Sequence, residues 1–236
     1  MSDQAGLLLS VRGEARWSVP PDSAIVMAAI ECSRGSKPAA VRAAAAELDS
    51  LTADLAAQGA VALEPGTGRH PLTWSAQSAT THVERSYDDK TGRHQPTGQV
   101  TAAVAVVITV RAFGRLDALG AVLAAHEAVS VHGVTWQVDW DNPAWQDVRA
   151  AAIQAAIRKG RDYATALGGS LRSVEHIADA GLLGGDAGPF HTVRGVALRA
   201  AGGDQPGTPA LTPVPQELIA TIEARFRATD VSLPSA

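Results

Sequence analysis

The side chains able to do chemistry near neutral pH are few in this sequence. There are seven histidines, one cysteine, and only Lys37, Lys90 and Lys159 among 20 basic residues. Histidine serves as general base, proton shuttle and metal ligand, so its spacing is read first. His126-Glu127 has no second histidine three residues on, and the zinc-protease pattern fails. His70, His82 and His94 lie far apart on a polar strand and a loop, where surface positions are expected. His132 shares a strand face with Val134, Trp136 and Val138, and His176 shares one with Val174 and Ala178. A right-handed crossover would set those two strands parallel in one sheet and bring the imidazoles near each other. The competing reading is that both are satisfied core or interface histidines.

Cys32 is the only cysteine, which excludes an internal disulfide and any multi-cysteine zinc site. It lies on a face with Ala24, Val26, Ala28 and Ile30, so a buried, inert thiol is expected. No nucleophile elbow and no phosphate-binding loop occurs. Gly66-Thr67-Gly68 lacks the third glycine of a dinucleotide fingerprint, and Gly181 to Gly188 opens no periodic helix. Both read as ordinary loops. Asp139, Asp141 and Asp147 gather beside Asn142, where carboxylates favour a helix N-terminus before a metal. Trp17, Trp74, Trp136, Trp140 and Trp145 read as core packing, with an aromatic docking patch as the alternative. No catalytic, cofactor-binding or metal-ligating residue is assigned, and no cofactor is expected.

The elements that must carry these residues follow from periodicity. Leu7, Leu9, Val11, Gly13, Ala15, Trp17 and Val19 alternate with polar positions, which predicts a long half-buried strand. Pro20-Pro21-Asp22 stops it. A second strand over 23–34 follows, and the short connection predicts an antiparallel hairpin. Ser36 caps a helix to about Gln58, with Val41, Ala44, Ala45, Leu48, Leu51 and Leu55 on its apolar face and Gly59 past its end. One long polar strand is predicted from about Pro71 to Ser86, then a turn over Asp88 to Gly92. A β-branched strand covers 99–111, a short helix carries Leu116, Leu119 and Leu123, and a strand covers 129–140. Asn142-Pro143 starts a helix to Leu167, with Gly160 inside it at a cost of about 1 kcal/mol relative to alanine. A strand covers 171–179. Residues 181–215 form a long surface loop. Helix propensity favours Gln216 to Arg227, yet strict alternation from Leu218 to Ala228 predicts a final strand over 216–229. The order ββαββ-αβαββ gives an α+β protein.

The ordered series Val11-Arg12-Gly13, Pro21-Asp22-Ser23-Ala24, Gly59-Ala60-Val61, Gly98 to Arg111, Leu119-Gly120, Gly133-Val134-Thr135-Trp136, Tyr163 to Gly168 and Val174-Glu175-His176-Ile177 resembles the SIMPL domain family. This is also called the domain-of-unknown-function 541 family, and it includes bacterial oxidative-stress-defence and periplasmic immunogenic proteins. The resemblance covers residues 7 to 178 and resumes at the last strand. Ala15 and Gly160 depart from the usual glycine and alanine. The resemblance implies an α+β fold, large ring-like or cage-like oligomers, export from the cytoplasm in most members, and no established catalytic residues.

Length and composition agree with a single domain over 1–236, its core in 7–178 plus the final strand. A formal net charge of −4 does not suggest a nucleic-acid partner. No window approaches a membrane span. Met1 to Gly6 carries no basic region and Leu7 to Leu9 is too short for a signal core, so a cytoplasmic location is expected of the sequence as it stands. The expected activity is self-association as a homo-oligomer, linked to stress defence by resemblance. The alternative is a small-molecule or metal-binding protein, or an enzyme, using a cleft near residues 181–215.

Overall fold

The computed structural model describes residues 6–89, 92–182 and 212–231. Along them run β1 (Leu7–Val19), β2 (Ser23–Arg34), α1 (Lys37–Ala57), β3 (Val61–Ala62), β4 (Leu72–Ala76), β5 (Thr80–Asp88), β6 (Arg93–Val110), α2 (Leu116–Ala125), β7 (Val129–Gln137), α3 (Ala144–Ala166), β8 (Ser170–Asp179) and β9 (Gln216–Thr229). The protein is α+β, as its patterning predicts. Two compact units divide it. Of the described residues, one draws on 6–20, 138–182 and 215–231, the other on 21–89, 92–137 and 212–214.

In the first unit, α3 covers a three-stranded antiparallel sheet ordered β1-β9-β8. The final segment is a strand despite its helix-forming residues. Leu218, Ala220, Ile222, Ala224, Phe226 and Ala228 are all buried, while their neighbours are only partly so. Burial of one complete face outweighs intrinsic propensity. Val148, Ala152, Ala156 and Trp145 of α3 pack on that face with Val11. Small residues set the distance between layers. A Cβ on Gly13 would overlap the Ala152 carbonyl and crowd Ala156. A Cβ on Gly160 would lie 3.0 Å from the Phe226 ring. The glycine that weakens α3 as an isolated helix is therefore what admits Phe226.

Asn142 starts α3 as its type predicts. Its Oδ1 accepts a hydrogen bond from the Ala144 backbone N–H at 2.9 Å. The helix begins one residue later than expected, with Pro143 just outside it.

In the second unit, α1 and α2 pack on a sheet ordered β3-β4-β6-β2-β7, with β5 also paired to β6. Ala24, Val26, Ile30 and Cys32 of β2 meet Val104, Val106, Ile108 and Val110 of β6 and Leu51 and Leu55 of α1 in one core. Gly59 takes φ +77°, as expected past a helix end, and the Arg115 guanidinium donates to the Gln58 carbonyl.

Three expectations are corrected. The hairpin between the first two strands does not form: β1 pairs β9 along its whole length, and β2 lies between β6 and β7. Prolines fix φ near −65° and are unable to form the positive-φ turn of a tight hairpin. The single strand over 71–86 is two strands. Ala76 pairs Val106 and Thr80 pairs Ala103, so three residues of one chain segment face two of the other. That bulge breaks the ladder. Finally, β7 and β8 belong to different sheets, so no parallel pairing joins His132 to His176. Most of the expected 181–215 loop, residues 183–211, lies outside the described residues.

Candidate functional site

Three segments of the second unit meet at one end of its sheet: Glu31–Arg34 of β2, Ala43–Asp54 of α1, and Ala125–Ala128 between α2 and β7. The Glu31 N–H donates to the Ala128 carbonyl at 2.9 Å and holds the first to the third. Between them lies an open cleft of about 940 Å³. Its wall carries the carboxylates of Glu31, Glu47, Asp54 and Glu127 beside Arg34 and His126.

His126 is the buried polar residue of this cleft, with its side chain 8% exposed. The helix α2 ends there, and the residue takes an extended conformation that turns the chain into β7. Its Nδ1 lies 2.7 Å from Glu47 Oε1 and its Nε2 lies 3.1 Å from Asp54 Oδ2. Glu47 and Asp54 are seven residues apart on α1, two turns on one face, so a single imidazole spans them. Each ring nitrogen faces a carboxylate. A neutral ring has one N–H to donate, and the imidazolium has two. With both nitrogens engaged on opposite sides, the ring presents no lone pair to a substrate. A metal needs donors converging on one point. Among the described residues no group of three histidine, cysteine, aspartate or glutamate side chains is placed to hold one.

The other groups near the cleft are similarly committed. Cys32 is buried, as its strand face predicts. Burial pushes its thiol up, against the pull of Arg34, and Glu47 adds to the rise. Such a thiol is a poor nucleophile. Ser33 donates to Glu84 Oε1 at 2.5 Å, Thr101 donates to the same oxygen at 2.6 Å, and the two hydroxyls lie 2.7 Å apart. The Ser33 and then the Thr101 hydroxyl hold the Glu84 carboxyl below its ordinary range. This cluster stitches β2, β5 and β6 together. His82, opposite Thr101 in the β5–β6 ladder, adds a further lowering of the Glu84 carboxyl.

The remaining histidines among the described residues do not converge. His70 Nδ1 lies 2.9 Å from the Leu72 carbonyl and orders the loop before β4. His82 and His94 are exposed as expected, with His94 edge-on to Tyr87 at 5.3 Å. His132 is the extra residue of a bulge, between Val131 opposite Ala28 and Gly133 opposite Met27. The bulge leaves it exposed and breaks the face it was expected to share with Val134 and Trp136. His176 is exposed on β8. Asp147 lies in the first turn of α3, where it complements the helix dipole. Gly66 and Gly68 form a loop closed by Thr67 on Glu64, with a strand after it and no helix.

The tryptophans divide. Trp136 and Trp145 are buried, and the Trp145 indole donates to the Asp139 carbonyl at 3.0 Å. Trp74 packs partly buried on the second unit's core. Trp17 and Trp140 are exposed, at 40% and 86%.

Sequence patterning singles out His126 only for a motif it fails. The usable signal was Glu47 and Asp54 at two-turn spacing on the flank of an apolar helix face. Their partner lies on another element, so no local spacing connects the three.

A family model described as SIMPL, a protein of unknown function (DUF541), matches residues 9–226. The match covers nearly the whole chain, and the protein belongs to this family. No curated protein matches it.

Proposed function

We propose that this SIMPL-family chain works by self-association and performs no catalysis of its own. The observation that carries this reading is the unfinished sheet of the first unit. Among the described residues, β1 and β8 each have one neighbour, β9. Both outer strands expose apolar side chains: Leu7, Leu8 and Trp17 on β1, Val174 and Ile177 on β8. An edge strand offers a row of backbone donors and acceptors to another strand. Apolar side chains along it add a driving force that a solitary domain has little reason to expose. The cleft beside His126 supports the same reading, because its imidazole lies between two carboxylates of α1, its thiol is buried with a raised pKa, and the Ser33 hydroxyl donates to Glu84.

Light scattering at micromolar concentration tests this. The expected species is a multiple of 24.3 kDa. A strictly monomeric protein overturns the reading. A link to oxidative-stress defence is supported by the family resemblance, and unchanged peroxide survival in cells lacking the protein would count against it.

A further inference from the structure

We propose that β8 is the strand through which two copies of this chain pair, antiparallel, about a two-fold axis between Glu175 and His176. The inference rests on the self-association reading and specifies its interface. Read backwards against itself, the segment Arg172–Asp179 is self-complementary. Arg172 comes opposite Asp179, Glu175 opposite His176, Val174 opposite Ile177, and Ser173 opposite Ala178. The two-fold repeats every pair. Two opposite-charge pairs, two pairs of carboxylate with imidazole and two apolar pairs then come opposite one another across the new ladder. The extra residue at the Glu175 bulge is what puts Val174 and Ile177 on the same face of β8, so that the apolar pairs meet.

Neighbouring registers lose this match. An axis through Glu175 sets that carboxylate against itself and Val174 against His176. An axis through His176 sets imidazole against imidazole and Glu175 against Ile177. A one-residue slip in strand pairing also moves every side chain to the other face, so the match selects one register sharply.

The strand is built to use it. Val174 and Ile177 are 51% and 45% exposed although both lie opposite buried residues of β9, Phe226 and Ala224. They sit at the lip of the core. Beside Val174 a groove of about 200 Å³ opens between α3 and β8, walled by Ile157, Leu171 and Phe226. Pairing across the edge would cover that lip with the partner's Ile177. Two bulges insert Arg172 and Glu175 into the ladder with β9. Glu175 is held by Arg227 and Ser173, both through Oε1 at 3.3 Å, which leaves the geometry of its carboxylate defined before any partner arrives.

Sedimentation equilibrium of the full chain and three variants tests the register. Arg172→Asp alone, or Asp179→Arg alone, sets like charges opposite each other twice, and each should weaken the dimer roughly tenfold. The combined Arg172→Asp/Asp179→Arg swap restores the pairing and should recover affinity to within about threefold. A second measurement does not depend on charge. In a Cys32→Ser background, Val174→Cys protein mixed with Ile177→Cys protein should form an intermolecular disulfide on mild oxidation, which either protein alone should form far less. If the three charge variants associate as tightly as the unmodified chain and the mixed cysteines do not cross-link, this interface is wrong while self-association stands. A monomeric unmodified chain overturns both, with the bulges then acting as protection of the edge.

Discussion

At the residue scale, His126 shows how a chemically capable side chain becomes structural. Its two nitrogens are both spent on α1, through Glu47 and Asp54. It ties the end of α2 to the middle of α1, which is a service to packing. His126→Ala should lower stability by about 1–2 kcal/mol in urea unfolding, because Glu47 and Asp54 then face the cleft without their shared donor. Glu84 gives a pH signature of the same kind. Its carboxyl is held below the ordinary value near 4.5 by the hydroxyls of Ser33 and Thr101. The unfolded state therefore takes up a proton first as pH falls, and the contribution is present above pH 4.5 and lost below it. Glu84→Gln should destabilise the protein near neutrality, with the gap to wild type closing as unfolding is measured at successively lower pH. Of these residues, Cys32 was legible from its strand face alone. The His126 clamp was not, since its members lie 47, 54 and 126 along the chain and only the sheet brings them together.

At the element scale, small residues decide how close the layers come. Gly13 of β1 sits against the Ala152 carbonyl and Ala156 of α3, leaving no room for a Cβ. Gly13→Ala should cost about 1–3 kcal/mol through overpacking, visible as a lowered urea midpoint with an unchanged slope. Gly160 has the matching role against Phe226. Element types were largely readable, because burial on one face writes itself into the alternation of β9 and the three- and four-residue spacing of α1. Interruptions were harder. The bulge between β4 and β5 arises from a mismatch in residue count against β6, and neither strand encodes that count locally.

At the scale of the whole molecule, the first unit is assembled from the two ends of the chain and a segment far from both. Its centre is β9, the last strand, with β1, the first, on one side and β8 on the other. Among the described residues the sheet ends at those two strands with apolar side chains in view, and an assembly larger than 24.3 kDa in light scattering is the expected consequence. The resemblance drawn from short motifs agreed with the family match over 9–226, although no one motif is specific.

The sequence by itself determined most of the strands and helices, the apolar faces of α1 and β9, and the family, because those properties are local or additive along the chain. Tertiary structure alone decided that β1 joins β9 and not β2, that His126 grips two carboxylates of α1, and that, among the described residues, β8 pairs with β9 alone. Pairing depends on which apolar faces meet. A dozen residues of alternation specify a strand's two sides without naming its neighbours.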